Sequence, residues 1–101
     1  MKNISLEPQQ QALADLLKDL REGLGITQEQ LAESLAWRQT DVSKVERGAR
    51  QIGHVELRYW VSALGVDMFG LEIEFQDRLR SLGIAEPSPP GGRRSKRRKL
   101  P

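Results

Sequence analysis

One short stretch of the chain carries a row of hydrogen-bonding side chains at helical spacing. If Val42 and Val45 face a core, the opposite face of the same helix presents polar residues: Gln39, Thr40, Ser43, Lys44 and Arg47. Glutamine can form two hydrogen bonds to adenine, lysine reaches the acceptors of guanine, and threonine offers a hydroxyl and a methyl group. These residue types suit contact with base edges in a DNA major groove.

The sequence lacks the groupings that catalysis or metal binding requires. It contains no cysteine and a single histidine, His54, which has no cluster of partner ligands. No phosphate-binding glycine loop or nucleophile motif is present, and the paired acids Glu72 and Glu74 are typical of a solvated face. We therefore expect no enzyme activity, no cofactor and no bound metal.

The elements that position the polar row are two short helices joined by a tight turn. The sequence Thr27-Gln28-Glu29-Gln30 is a capping box, which predicts the start of a helix with Leu31 and Leu35 on its apolar stripe. A connection of about three or four residues around Ala36 leads to the next helix, over residues 39–47. This is the helix-turn-helix layout, in which the second helix can lie in a major groove.

The rest of the body also has helical periodicity. Apolar spacing predicts further helices over residues 8–23, 54–64 and 69–82. The last segment is ambiguous, because Leu71, Ile73 and Phe75 alternate with acidic residues, which is the period of a strand. An isolated strand would need a partner, such as the same segment of a second subunit. We favour the helix.

Length and composition limit the chain to one small domain. Of its 101 residues, 38% are hydrophobic and 5% are aromatic, so the core must be small and mostly aliphatic, as in a helical bundle. No apolar run approaches the ~20 residues that a membrane span needs. The N-terminal residues show no signal-peptide pattern. We expect a soluble, cytoplasmic protein that is associated with the nucleoid when it binds DNA.

Charge and composition divide the chain in two. Three prolines and two glycines in residues 87–92 cannot carry a helix, so we predict a folded domain over 1–86 and a disordered Pro/Gly linker and basic tail over 87–101. Outside the tail, fourteen acidic residues outnumber ten basic ones, so the net charge of +2 depends on the tail. The tail cations are Arg93, Arg94, Lys96, Arg97, Arg98 and Lys99.

Residues 12–80 resemble the phage Cro/lambda-repressor-like (XRE-type) helix-turn-helix DNA-binding family. The matching elements, in order, are Thr27-Gln28-x-x-Leu31-Ala32, Gln39-x-x-Val42-Ser43-Lys44-Val45-Glu46-Arg47-Gly48 and Leu64-Gly65-Val66-Asp67. The resemblance implies an all-α, five-helix lambda-repressor-like bundle that contains a helix-turn-helix and binds double-stranded DNA.

The resemblance also implies roles for individual residues. The side chains expected to contact bases are Gln39, Thr40, Ser43 and Lys44. Those expected at the DNA backbone are Gln28 and Arg50, joined by the nearby cations Arg38 and Arg47. Gln28 is also expected to brace Gln39. Arg21 and Glu46 match a partly buried ion pair between the first and third helices, and losing one partner would strand a buried charge.

Three residues depart from the family pattern. Ala36 stands where glycine is usual, and because alanine lacks glycine's freedom at positive φ, we expect a strained or re-formed turn. Trp37 could stack on the sugar-phosphate backbone or close a hydrophobic edge, and we favour the edge. Asp41 would repel phosphate unless it accepts a hydrogen bond from cytosine or caps the helix, and we favour capping.

Together these features indicate a transcription regulator, with a repressor that occludes a promoter as the favoured form. One short helix is seldom sufficient for specific recognition, so we expect a homodimer that reads a near-palindromic operator with half-sites ~34 Å apart. The predicted dimer surface is an apolar stripe on the last helix: Leu71, Phe75, Leu79 and Leu82.

Two other interpretations stay open. An antitoxin of the same family would repress its own operon while its tail or last helix masks a toxin partner. A protein-binding adaptor would use the same bundle to hold another protein without DNA. The basic tail could add sequence-independent phosphate contacts, bind RNA or an acidic partner, act as a nuclear import signal, or remain a solvated charge run.

Overall fold

The computed structural model describes residues 7–90, and its regular secondary structure there is helical. Five α-helices follow one another: α1 (Glu7–Gly23), α2 (Gln28–Leu35), α3 (Gln39–Glu46), α4 (His54–Ala63) and α5 (Met68–Leu82). The predicted all-α, five-helix fold is therefore confirmed. Within residues 7–90, no helix is long and apolar enough to cross a membrane. The cations of the predicted basic tail, over residues 93–99, lie outside the described residues.

Capping side chains set the starts of α2 and α5. Thr27 Oγ1 accepts a hydrogen bond from the backbone N–H of Gln30 at 3.0 Å, and Gln30 Oε1 accepts one from the N–H of Thr27 at 2.9 Å. The predicted capping box is thus confirmed. At the start of α5, the Asp67 carboxylate accepts a hydrogen bond from the N–H of Phe69 at 2.8 Å. Each cap satisfies a helical N–H that has no partner within its own helix.

The segment with an ambiguous period is a helix. Leu71 and Leu79 are each 2% exposed, and Phe75 between them packs against the core, which is the spacing of one helical face. Ile73 lies on the other side and is 63% exposed, so the alternation with acidic residues does not mark a strand. A strand would place Leu71, Ile73 and Leu79 on the same face, so the exposure of Ile73 beside two buried leucines is explained by a helix and not by a strand.

The core lies where α1, α2, α3 and α4 meet, with α5 packed against α1 and α4. Trp60 of α4 is the largest fully buried side chain. It is surrounded by aliphatic residues, as the composition predicts: Leu16, Leu17, Leu31, Val42, Val45, Val61 and Leu64. Since Val42 and Val45 are 0% and 2% exposed, the inward face of α3 is fixed, and its outward face follows from that.

The predicted dimer stripe on α5 needs correction. Leu71 and Leu79 belong to the chain's own core and Phe75 packs against it, so they are not available to a second subunit. Only Leu82 of the stripe is exposed, at 60%. The error has a physical cause, because apolar residues at helical spacing look the same in sequence whether they face their own core or a partner. The exposed apolar side chains of the α5 N-terminal half are Phe69 and Ile73.

The turn between α2 and α3 places Ala36 in the left-handed conformation, with φ +58° and ψ +38°. Among residues 7–90 it is the one non-glycine residue with positive φ. The backbone N–H groups of Ala36 and Trp37 bond back to the carbonyls of Glu33 and Ala32 at 3.2 and 2.9 Å, so the turn keeps its hydrogen bonds. The turn is therefore strained, because an alanine at positive φ has a steric cost that a glycine avoids.

Replacing Ala36 with glycine should stabilise the protein. The substitution removes the steric cost of a left-handed alanine, and the greater freedom of glycine in the unfolded chain offsets part of it. We expect Ala36→Gly to raise the free energy of unfolding by about 0.5–1 kcal/mol and the Tm by a few degrees, measured by thermal denaturation followed by circular dichroism.

Gly65→Ala is the matched reverse change. Gly65 has φ +75°, and an added Cβ there would meet no atom within 4 Å, so the backbone conformation alone is tested. This variant should lose about 1 kcal/mol. A lower Tm for Ala36→Gly would show that the left-handed conformation of the turn carries no strain.

Candidate nucleic-acid interface

The outward face of α3 brings the predicted base-contacting residues together. Thr40 and Lys44 are exposed, and Gln39 and Ser43 are half-buried on the same face. Arg47, at the C-terminal cap of α3, is exposed, and its Nε donates to Ser43 Oγ at 3.5 Å. The result is a surface one helix wide with donors, acceptors and cations, which has the dimensions to enter a major groove.

A chain of side-chain hydrogen bonds holds Gln39 from behind. Gln39 Nε2 donates to Gln28 Oε1 at 2.5 Å, and Gln28 Nε2 donates to Glu46 Oε1 at 2.9 Å. Gln28 lies at the start of α2, so the chain ties α2 to both ends of α3. The bracing of Gln39 by Gln28 has the geometry that the sequence predicts, whereas the link from Gln28 to Glu46 was not predicted.

Arg21 and Glu46 form a buried, two-pronged ion pair. Arg21 Nε donates to Glu46 Oε2 at 2.6 Å and Nη2 donates to Glu46 Oε1 at 2.9 Å, while Nη1 donates to the carbonyl of Ile26 at 2.6 Å. Their side chains are 8% and 2% exposed. Hydrogen bonding to Glu46 raises the pKa of Arg21 against the opposing effect of burial. Removing either partner would leave an uncompensated buried charge, at a typical cost of about 3–5 kcal/mol.

Asp41 caps α3 from inside its first turn. Its carboxylate accepts a hydrogen bond from the backbone N–H of Arg38 at 3.2 Å, and the Arg38 guanidinium lies 3.5 Å away. The hydrogen bond from that N–H, reinforced by the guanidinium, lowers the pKa of Asp41 despite partial desolvation. The geometry favours the capping interpretation over a contact to cytosine. The Arg38 side chain is 80% exposed, which leaves it accessible to phosphate.

Trp37 closes a hydrophobic edge of the turn. Its ring meets that of Trp60 edge-on, with centroids 6.1 Å apart and planes at 75°. On the Trp37 ring lies the guanidinium of Arg50, 4.6 Å from the ring centroid, which is a cation–π contact. Trp37 is half-buried between these neighbours. Its surroundings favour the interpretation that it closes a hydrophobic edge over the interpretation that it stacks on DNA.

Arg50 is occupied by partners within the chain. Its Nη2 donates to Glu56 Oε2 at 2.9 Å, and Glu56 Oε1 accepts a hydrogen bond from the N–H of Gly53 at 3.0 Å. These two bonds, the Gly53 one first, lower the pKa of Glu56. A phosphate contact by Arg50 would compete with this ion pair. The sequence did not reveal Glu56 as its partner, although Gly53-x-x-Glu56 has the spacing of a helix cap.

The predicted DNA-facing residues thus fall into two groups. One cluster surrounds α3 and the start of α2: Gln28, Arg38, Gln39, Thr40, Ser43, Lys44 and Arg47. Arg50 stands apart, held against Trp37 and Glu56 on the loop that follows α3. Within residues 7–90, no group of His, Cys, Asp or Glu side chains has the arrangement of a metal site.

The helix-turn-helix segment lies within a match to a known domain family. A domain family described as "Helix-turn-helix domain" matches residues 12–70, which is more than half of the chain and spans α2, the turn and α3. The chain belongs to the XRE-type helix-turn-helix family. No match was found among curated proteins.

Solved structures of regulators share the fold. The clp gene regulator ClgR from Corynebacterium glutamicum is 27% identical, with a TM-score of 0.64 over 69% of this chain and 90% of that one. The restriction-modification controller protein C.AhdI from Aeromonas hydrophila is 30% identical, with a TM-score of 0.56 over 59% of this chain and 91% of that one. Membership of this family makes the protein a DNA-binding transcription regulator.

A third structure shows the fold bound to DNA. The controller protein C.Esp1396I, solved as a tetramer in complex with its natural 35 base-pair operator, is 22% identical to this chain. Its TM-score is 0.68 over 71% of this chain and 95% of that one. At this identity the comparison establishes the shared fold alone.

The cap at Asp41 should make stability depend on pH. A folded-state pKa below the ordinary value means that the stabilisation is complete above the ordinary carboxyl pKa and is lost as pH falls through the folded value. Asp41→Asn should therefore be less stable than the natural protein at pH ~7, and the difference should vanish in acid. Urea unfolding from neutral pH to pH ~2.5 measures it.

Glu33→Gln is the control, because Glu33 is an exposed carboxylate of α2 outside the α3 cap. Its effect should not follow the acid dependence of Asp41→Asn. A difference between Asp41→Asn and the natural protein that is unchanged at pH ~2.5 would contradict a charge-dependent cap.

Proposed function

We propose that this protein is a sequence-specific repressor that binds double-stranded DNA as a homodimer, with α3 of each subunit in the major groove of a near-palindromic operator. The observation that carries the proposal is Gln39. Its amide is held by Gln28 at 2.5 Å on the outward face of α3, so a base-reading side chain is fixed in place before DNA arrives. Such preorganisation reduces the entropy lost on binding.

The neighbours of Gln39 support base reading. Thr40 and Lys44 are exposed on the same face, and Ser43 lies half-buried between them. Asp41, the acid closest to this surface in sequence, is turned toward the backbone of Arg38 and is therefore less able to repel DNA. Good two-bond contacts to a base contribute roughly 1–3 kcal/mol of discrimination, which is the scale expected for Gln39.

Contacts to the DNA backbone are assigned to side chains around this face. Arg38 and Arg47 are exposed at the two ends of α3 and can reach phosphates. Gln28 retains a second side-chain N–H and its backbone N–H at the start of α2, where helix N–H groups favour anions. Arg50 is already paired with Glu56, so we rank it below the others. The tail cations would add sequence-independent attraction that steepens the salt dependence.

The proposed dimer rests on the exposed apolar side chains of α5. Phe69 and Ile73 are 80% and 63% exposed and lie four residues apart, on one face of the helix. Two symmetric subunits would place their α3 helices about one DNA turn, ~34 Å, apart. Occupying an operator that overlaps a promoter would exclude polymerase, and this gives repression.

In-vitro selection on random duplex DNA at ~150 mM salt tests base reading. The natural protein should enrich one near-palindromic site. The double variant Gln39→Ala/Lys44→Ala should fold normally by circular dichroism and lose at least about tenfold in affinity for that site, because it removes base contacts. Lys18→Ala, which removes an exposed cation of α1, should enrich the same site with little loss.

Two outcomes would overturn the proposal. One is the absence of any enriched site with the natural protein. The other is an unchanged affinity of Gln39→Ala/Lys44→Ala for an enriched site. The first result would favour a bundle that binds protein rather than DNA, and the second would show that residues other than Gln39 and Lys44 read the bases.

The dimer surface has its own matched pair of variants. Ile73→Lys places a charge on the proposed interface, whereas Val55→Lys places one on α4, where Val55 is 59% exposed. Ile73→Lys should shift the protein to a monomer in sedimentation and weaken binding to the full operator more than to a half-site. Val55→Lys should remain dimeric. The reverse pattern, or a natural protein that is monomeric at micromolar concentration, would exclude this interface.

A further inference from the structure

The hydrogen bonds behind Gln39 have a fixed direction. The Glu46 carboxylate accepts three hydrogen bonds. Two of its bonds come from Arg21, whose guanidinium can only donate, and the third comes from Gln28 Nε2 at 2.9 Å. Each Glu46 oxygen already accepts a hydrogen bond from Arg21, a group that cannot accept one in return. The end of the chain at Glu46 therefore cannot reverse.

The fixed direction at Glu46 also sets the orientation of the side-chain amides of Gln28 and Gln39. Because Gln28 must turn its NH2 group toward Glu46, it turns its carbonyl oxygen toward Gln39. Gln39 in turn must point its own NH2 group at that oxygen, and it does so at 2.5 Å. One N–H of Gln39 is then used internally, and the groove receives its carbonyl oxygen together with the other N–H.

One acceptor beside one donor matches adenine and not guanine. The Gln39 oxygen can accept from adenine N6–H while its free N–H donates to adenine N7. Guanine presents two acceptors, N7 and O6, so the Gln39 oxygen would face another oxygen. If the chain ran the other way, Gln39 would accept from residue 28 and present both of its N–H groups, which would suit guanine.

We infer that Glu46, which is buried at 4% exposure, is a specificity-determining positioning residue. Acting through Gln28, it sets the donor–acceptor order that Gln39 presents and so selects adenine over guanine at one base pair of each half-site. The inference rests on the proposed base reading by α3. The choice of base then depends on a buried side chain that lies behind the proposed DNA-facing surface of α3.

Two substitutions of Gln28 test the direction of the chain. Gln28→Met removes the bond to Gln39 and leaves the Arg21–Glu46 pair intact, so adenine preference at one base pair should fall about tenfold. Gln28→Lys places a donor-only group beside Glu46, which can pair with it, and offers an N–H to the Gln39 oxygen. At the same base pair this variant should reverse the preference, to guanine.

The measurement is fluorescence anisotropy at one salt concentration with full-length protein. The probes are the operator selected by the natural protein and a series in which each A·T pair is changed to G·C symmetrically in both half-sites. Ratios between probes separate base preference from the uniform gain in affinity that an added lysine brings. Gln10→Met, an exposed glutamine of α1 changed in the same way, should keep every ratio.

A third variant tests Glu46 itself while Gln28 is kept. Arg21→Met/Glu46→Leu exchanges the ion pair for apolar side chains, which proteins often tolerate, and frees Gln28 to turn over. Adenine preference at that base pair should relax as in Gln28→Met. If this variant does not fold by circular dichroism, Gln28→Lys still decides the matter.

The outcomes are distinguishable from failure of the proposed function. If the natural protein enriches no site, base reading itself fails. If it does enrich a site, an adenine preference that Gln28→Lys leaves unchanged would overturn the inference. A weakening that is equal at every base pair would also overturn it, because a merely structural role of Gln28 lowers affinity without changing one ratio.

Discussion

The buried pair of Arg21 and Glu46 is the constraint on which the rest of the interface depends. Two charges removed from water are tolerated only where every donor and acceptor finds a partner. Arg21 meets that demand with the Ile26 carbonyl and both Glu46 oxygens, and Glu46 meets it with Arg21 and Gln28. Satisfying the pair therefore fixes α1, the turn after it, the end of α3 and the start of α2 relative to one another. Through its bond to Gln28, Gln39 is held in place by this arrangement.

A second group of contacts supports the strained turn. Ala36 holds a left-handed backbone without glycine's freedom, and the adjacent Trp37 is packed against Trp60 in the core. Arg50 lies over the Trp37 ring and is itself held by Glu56. The turn before α3 and the loop after it are thereby joined through one aromatic ring. Packing of this kind allows a local conformation that alanine disfavours to persist.

Electrostatic attraction to DNA would come from cations near α3 rather than from the net charge of the folded domain. The chain outside its tail carries more acidic than basic residues, so attraction to DNA depends on where the few cations lie. Arg38, Lys44 and Arg47 are exposed near the proposed groove surface, whereas Asp41 and Glu46 are each engaged by an arginine. Because Arg38 is the partner of Asp41, the local positive potential that an anionic partner requires is left to Lys44 and Arg47.

The helices and the outward polar row on α3 could be predicted from the sequence, because apolar period and capping residues are local properties. Thr27 and Gln30 mark the start of α2, and Val42 with Val45 fixes which side of α3 is buried. What lies opposite each face depends on how the helices pack in three dimensions. Leu71 and Leu79 have a spacing that fits a core or a partner equally well, and only packing places them inside. Likewise, whether Arg50 meets phosphate or Glu56, and whether Gln28 meets Glu46, depends on long-range proximity, which no local pattern encodes.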